Sequence, residues 1–124
     1  MTYISTPNAP AAIGPYSQAI LAGDTLYASG QIPVDPATGK LEAQDIAGQA
    51  EQACKNVGEL LKAAGMTYQN VVKTTCFLQD IADFAAFNEV YARYFTGKPA
   101  RSCVAVRDIP KGCLCEIEVI AVRE

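Results

Sequence analysis

Cys113-Leu114-Cys115-Glu116-Ile117-Glu118-Val119-Ile120-Ala121-Val122 reads as a β-strand whose two faces differ in character. Side chains alternate sides along an extended backbone, so Cys115, Ile117, Val119 and Ala121 share one face while Leu114, Glu116, Glu118 and Ile120 share the other. The first face is apolar and reads as core. The second sets two carboxylates between two aliphatics, which suits a subunit interface or a cleft lined by polar groups. A sheet built on this strand has one side that its own helices cover and one that they do not, and this predicts a closed homo-oligomer.

Working outward, the rest of the chain supplies the layers. From Ile46 to Ala64 the apolar positions Ile46, Ala50, Ala53, Cys54, Val57, Leu60, Leu61 and Ala64 recur at steps of three and four, the signature of an amphipathic helix. Asp45 is its expected N-cap and Gly65 its stop, because a carboxylate accepts from free N–H groups and glycine tolerates positive φ. Val71–Leu78 is β-branched and aromatic, a strand. A second helix is expected from Asp80, with the stripe Ile81, Phe84, Phe87, Tyr91, Tyr94 and Phe95, closing at Gly97 before Pro99. Thr2–Thr6 reads as a leading strand, and Tyr16–Leu21 with Thr25–Ser29 as a hairpin around Ala22-Gly23-Asp24. Ser102–Val106 and Cys113–Val122 complete the set, joined by a turn at Asp108–Gly112. The order β, β-β, α, β, α, β-β predicts an α+β packing in one domain, residues 1–124, with helices on one face of a mixed sheet.

Composition narrows the chemistry. The 124 residues are 50% hydrophobic and 19% charged, enough apolar content to exclude disorder. The net charge of −3 and absence of a basic stripe argue against nucleic acid as a partner. No apolar run approaches a membrane span, and the first residues show no secretory pattern, so a cytoplasmic location is expected. With 0 histidines, Ser-His-Asp and Cys-His triads and His-based metal sites are all excluded. The five cysteines, Cys54, Cys76, Cys103, Cys113 and Cys115, form an odd set that reads as reduced thiols. Cys54 and Cys76 are expected in the core, and Cys113-x-Cys115 lacks the spacing of a zinc site.

Six segments then occur in a fixed order: Ile13-Gly14-Pro15-Tyr16-Ser17-Gln18, Ser29-Gly30-Gln31-Ile32-Pro33, Val72-Lys73-Thr74-Thr75, Phe84, Pro99-Ala100-Arg101-Ser102-Cys103-Val104, and Glu116-Ile117-Glu118. Together they resemble the RidA (YjgF-type) family of reactive intermediate deaminases, over essentially the whole chain. The resemblance implies a chorismate-mutase-like α+β fold of about six strands, assembled as a homotrimer with clefts between subunits. It further implies hydrolysis of 2-imino acids and their enamine tautomers, such as 2-iminobutanoate and 2-iminopropanoate, to 2-keto acids and ammonia. No cofactor and no metal are implied. Phe95–Lys98 is shorter than in many members, and Arg107-Asp108-Ile109 replaces a more usual Ala-Arg-Leu.

Arg101 matches the family's carboxylate-binding arginine, and its fork of donors suits bidentate capture of a planar 2-imino acid; the plainer alternative is a surface ion pair. Glu116 matches the glutamate that orients the attacking water, against the alternative of a solvated strand carboxylate, which is the reading for Glu118. Cys103 matches a cysteine beside the substrate, or is simply a buried thiol. The resemblance alone makes Tyr16 an aromatic wall, Ser29 a hydroxyl donor, and Gly30 a point of close approach to the ligand. Phe87 is expected as core and Phe84 as a distant cleft candidate. Two other functions compete: a non-catalytic, small-carboxylate-binding regulatory trimer, and an endoribonuclease or translation inhibitor, for which the acidic balance offers little support.

Overall fold

A computed structural model describes residues 1–124. Six strands, β1 (Thr2–Ile4), β2 (Ala19–Ala22), β3 (Thr25–Ala28), β4 (Val71–Leu78), β5 (Ala100–Ala105) and β6 (Cys115–Val122), form a single sheet. Its order is β1-β2-β3-β6-β4-β5. Only β4 and β5 run parallel, because α2 (Phe84–Tyr94) carries the chain across between them. The C-terminal strand β6 sits between β3 and β4, which makes it the spine of the sheet.

The α1 helix (Ile46–Ala63) starts where Asp45 accepts from the Gly48 N–H at 3.1 Å. It stops where Gly65 takes a φ of 74°, a left-handed conformation that few other residues adopt cheaply. Its predicted stripe is the buried face: Ala50, Ala53, Cys54, Val57 and Leu61 share one core cluster with Cys76, Ile117 and Val119 of the sheet, and Leu60 is buried as well. Periodicity passed over the buried Asn56, whose amide donates to the carbonyls of Ile32 and Val34, both at 3.0 Å. This side chain ties α1 to the irregular segment after β3. Asn56→Ala should therefore cost about 1–3 kcal/mol by leaving buried carbonyls unpaired. Thermal unfolding should show Tm lower by roughly 5–10 °C.

Several boundaries differ from the sequence reading. β2 begins at Ala19, not Tyr16, because the Gln18 side chain binds Thr6, Ala9 and Pro10 and holds the preceding segment as a loop. β1 ends at Ile4, and β5 begins two residues earlier than expected, at Ala100. β6 begins at Cys115 because Pro110–Gly112 form a 3-10 turn. Asp80 caps another 3-10 turn, Ile81–Asp83, by accepting from Ala82 N–H at 2.9 Å, and α2 proper starts only at Phe84. The expected stripe of the second helix is also corrected. Phe87 and Tyr91 are buried, but Ile81, in the 3-10 turn, is exposed, and Phe84, the first residue of α2, is 37% exposed.

Both helices lie on one face. The opposite face carries Tyr3, Ile20, Tyr27 and Ile120 side by side across four strands, followed by Lys73. Tyr27 is 52% exposed there, and Val104 45%. An apolar row this wide left open to water is the pattern of an interaction surface.

Candidate active site

Strand register decides where the expected site residues go. Arg101 pairs with Thr74 and Cys103 with Cys76, so both point to the helix side of the sheet. Glu116 pairs with Phe77 in β4 and points to the open side. Within one chain the sheet therefore stands between Arg101 and Glu116. The structure sorts the six expected residues into two groups and does not bring them into one pocket.

The first group is built on α2 and β5. The Arg101 guanidinium carbon lies 4.7 Å from the Tyr91 ring centre and 5.5 Å from that of Phe84, a cation–π contact with each ring. Its Nη1 donates to Asn88 Oδ1 at 2.7 Å. No carboxylate pairs with it: the chain's ion pairs are Arg93–Glu51 and Arg107–Asp108. The surface ion-pair alternative is thus excluded, and the Nε–Nη2 edge of a half-buried cation is left without a protein acceptor. A cavity of about 450 Å³ adjoins it, lined by Asn88, Tyr91, Phe95, Lys98, Pro99 and Arg101 among others. Cys103, half-buried on the same face, has its thiol pushed up by burial, with Arg101 pulling it partly back. It is a neutral thiol rather than a ready nucleophile.

The second group surrounds the loop after β3. Gly30 lies against Glu116 so closely that a Cβ there would push the carboxylate out of its place. The Gly30 N–H has no hydrogen-bond partner in the chain. Tyr16 is 54% exposed and lines two hollows, one with Ser29 and Glu118, the other with Gly30, Gln31, Pro110 and Lys111. Ser29 departs from its expected part as a donor. Its hydroxyl already donates to the Ser17 carbonyl at 2.6 Å, which leaves its lone pairs for any further hydrogen bond. Burial, and then the neighbouring charge of Glu118, raise the proton affinity of Glu116 above the ordinary carboxylate range.

That shift has a stability consequence. A carboxyl whose folded pKa is raised favours the fold below its unfolded pKa and disfavours it as pH rises through the folded value. Glu116→Gln should accordingly raise Tm at neutral pH. The gain should shrink toward zero as pH falls below the usual carboxylate range, as a pH series of melts would show.

Sequence reasoning missed Asn88 and Tyr91. With Phe84 they fall at i, i+4 and i+7 along α2, one helix face turned toward Arg101. An asparagine inside an otherwise apolar or alanine-rich helix, where it is a poor helix former, was the available signal. No group of three or more His, Cys, Asp or Glu is placed to hold a metal ion, and no helix is long and apolar enough to cross a membrane.

Fold and site together define a small α+β domain that presents an unpaired guanidinium on one side of its sheet and a desolvated carboxylate on the other. The chain belongs to the family described as Endoribonuclease L-PSP, whose family model matches residues 6–123. A rat protein named 2-iminobutanoate/2-iminopropanoate deaminase is 55% identical over 121 residues, 97% of this chain and 88% of that protein. Among solved structures, YyfA of the Rid protein family from Yersinia pestis is 52% identical, covers 98% of each chain and superposes with a TM-score of 0.95. E. coli TdcF with bound serine is 44% identical over the whole of both chains, also with a TM-score of 0.95. The resemblance to the RidA family is borne out.

Proposed function

We infer that this chain hydrolyses 2-imino acids and their enamine tautomers, including 2-iminobutanoate and 2-iminopropanoate, to 2-keto acids and ammonia, in clefts between the subunits of a cytoplasmic homotrimer. The observation that carries this reading is the free Nε–Nη2 edge of Arg101, an unpaired, half-buried cation shaped for a small carboxylate. The serine bound to E. coli TdcF carries such a carboxylate.

Arg101 and Glu116 can serve one substrate only if two different copies supply them, and the uncovered face of the sheet offers the surface on which copies would meet. Arg101 of one copy and the free Gly30 N–H of the next would share the substrate carboxylate. Glu116, a stronger base than an ordinary carboxylate, takes a proton from water as its oxygen bonds to C2 of the iminium. It returns that proton to nitrogen. The C–N bond then breaks, ammonia leaves, and the hydroxyl proton passes to solvent as the keto oxygen forms. A protonated imine is already electrophilic, so alignment of water and substrate supplies much of the acceleration. The neutral Cys103 thiol is a contact, not an attacking group.

The ribonuclease reading rests on the family's description, and the chain offers it neither histidine nor a basic surface. The deciding assay couples a threonine dehydratase to this protein and follows ammonia release against semicarbazone trapping. Wild type should draw free imine to keto acid and ammonia before it is trapped, lowering semicarbazone formation, and Arg101→Ala should not. Calorimetric 2-ketobutyrate binding without turnover would instead indicate the regulatory trimer. RNA cleavage abolished by one cleft substitution would favour the nuclease.

A further inference from the structure

We propose that Tyr91, pinned by the buried hydroxyl of Thr74, is a positioning residue that sets the plane of the Arg101 guanidinium for carboxylate capture. This deepens the deaminase reading and rests on it for the identity of the substrate anchor.

Thr74 is fully buried in the middle of β4, and its Oγ1 lies 2.7 Å from the Tyr91 hydroxyl. This pairs two polar groups that would otherwise be costly inside the core. The Tyr91 ring is further confined by the Phe95 ring, stacked at 4.5 Å and 25°, and by Phe87 at 5.9 Å. A ring held on three sides cannot tilt freely, and its remaining face is the floor beneath Arg101 at 4.7 Å. Phe84 is a second ring near the guanidinium, at 5.5 Å, and Asn88 Oδ1 accepts from its Nη1 at 2.7 Å. Because Thr74 and Arg101 are register partners on adjacent strands, ring and guanidinium are set by the same ladder.

The arrangement matters because two parallel N–H···O bonds form only when guanidinium and carboxylate are coplanar. An arginine free to rotate would lose rotamer entropy on every binding event. A floor that already holds the plane removes part of that cost. The effect falls equally on bound substrate and transition state, so it belongs in KM rather than kcat.

The test compares Tyr91→Leu, Tyr91→Phe and wild type in imine turnover and in calorimetric binding of 2-ketobutyrate, with circular dichroism to confirm folding. Tyr91→Leu removes the floor and should raise both KM and the 2-ketobutyrate Kd by roughly 5- to 20-fold, with kcat per folded protein kept within about twofold. Tyr91→Phe keeps the ring and should stay within about threefold of wild type in both, even though it loses the Thr74 bond and some thermal stability. A merely structural role would lower the folded fraction of both variants and leave KM and Kd unmoved. That result overturns the proposal, as does Tyr91→Phe raising KM as far as Tyr91→Leu. Wild type that binds 2-ketobutyrate but turns over no imine refutes the deaminase reading, while the Kd series still judges the positioning role. Wild type that neither binds the keto acid nor turns over imine overturns both.

Discussion

Arg101→Ala should lower kcat/KM for 2-iminobutanoate by about 10²- to 10³-fold, with most of the loss in substrate capture. The guanidinium is packed against the rings of Tyr91 and Phe84, and no acid in the chain pairs with it. A carboxylate bound there gains two charge-assisted hydrogen bonds in a partly dehydrated setting, an interaction whose removal costs several kcal/mol. Arg101→Lys should recover little. An ammonium keeps the charge but cannot reproduce the fork, and it would lie on the Tyr91 ring without a plane to align. Steady-state kinetics with dehydratase-generated imine, at several salt concentrations, measure both.

Mixing two inactive proteins should restore activity. If each cleft takes Arg101 from one copy and Glu116 from the next, co-refolding Arg101→Ala with Glu116→Gln in equal amounts builds some clefts that are intact on both sides. In a random cyclic assembly roughly one quarter of clefts are of that kind, so activity should return to about a quarter of wild type from a baseline near zero. Arg101→Ala mixed with a second Arg101 substitution should restore nothing. If both residues served one chain's own pocket, no mixture would recover activity, and the sheet that separates them leaves such a pocket no room.

How much of this was legible beforehand varies by element. The α1 helix was readable nearly to the residue, because its apolar spacing, its Asp45 cap and its Gly65 stop are local features of one segment. β6 was readable in both faces for the same reason, and the buried series Cys115, Ile117, Val119 and Ala121 is the expected one. The segment before β2 misled, since alternation from Tyr16 looked like a strand until Gln18 was seen to spend its amide on three residues of an earlier loop. Ile81 and Phe84 misled in another way. Ile81 lies in a turn that is not α-helical and so faces outward, while Phe84, the first residue of α2, stays partly exposed beside Arg101.

The amino-acid order by itself determined the α+β class, the absence of histidine chemistry, the core face of the central strand, and the residues Arg101 and Glu116 as the groups to watch. The first three follow from periodicity, capping and composition, which depend on neighbours a few residues apart, whereas Arg101 and Glu116 were marked by their match to the motifs of the RidA family. The tertiary structure alone decided that those two residues lie on opposite sides of one sheet, that Arg101 has aromatic rings and Asn88 in place of an ion-pair partner, and that Ser29 has already committed its proton. Each depends on strand order and register across long stretches of chain. The insertion of β6 between β3 and β4 is set by the burial of whole faces together, and no local pattern encodes it.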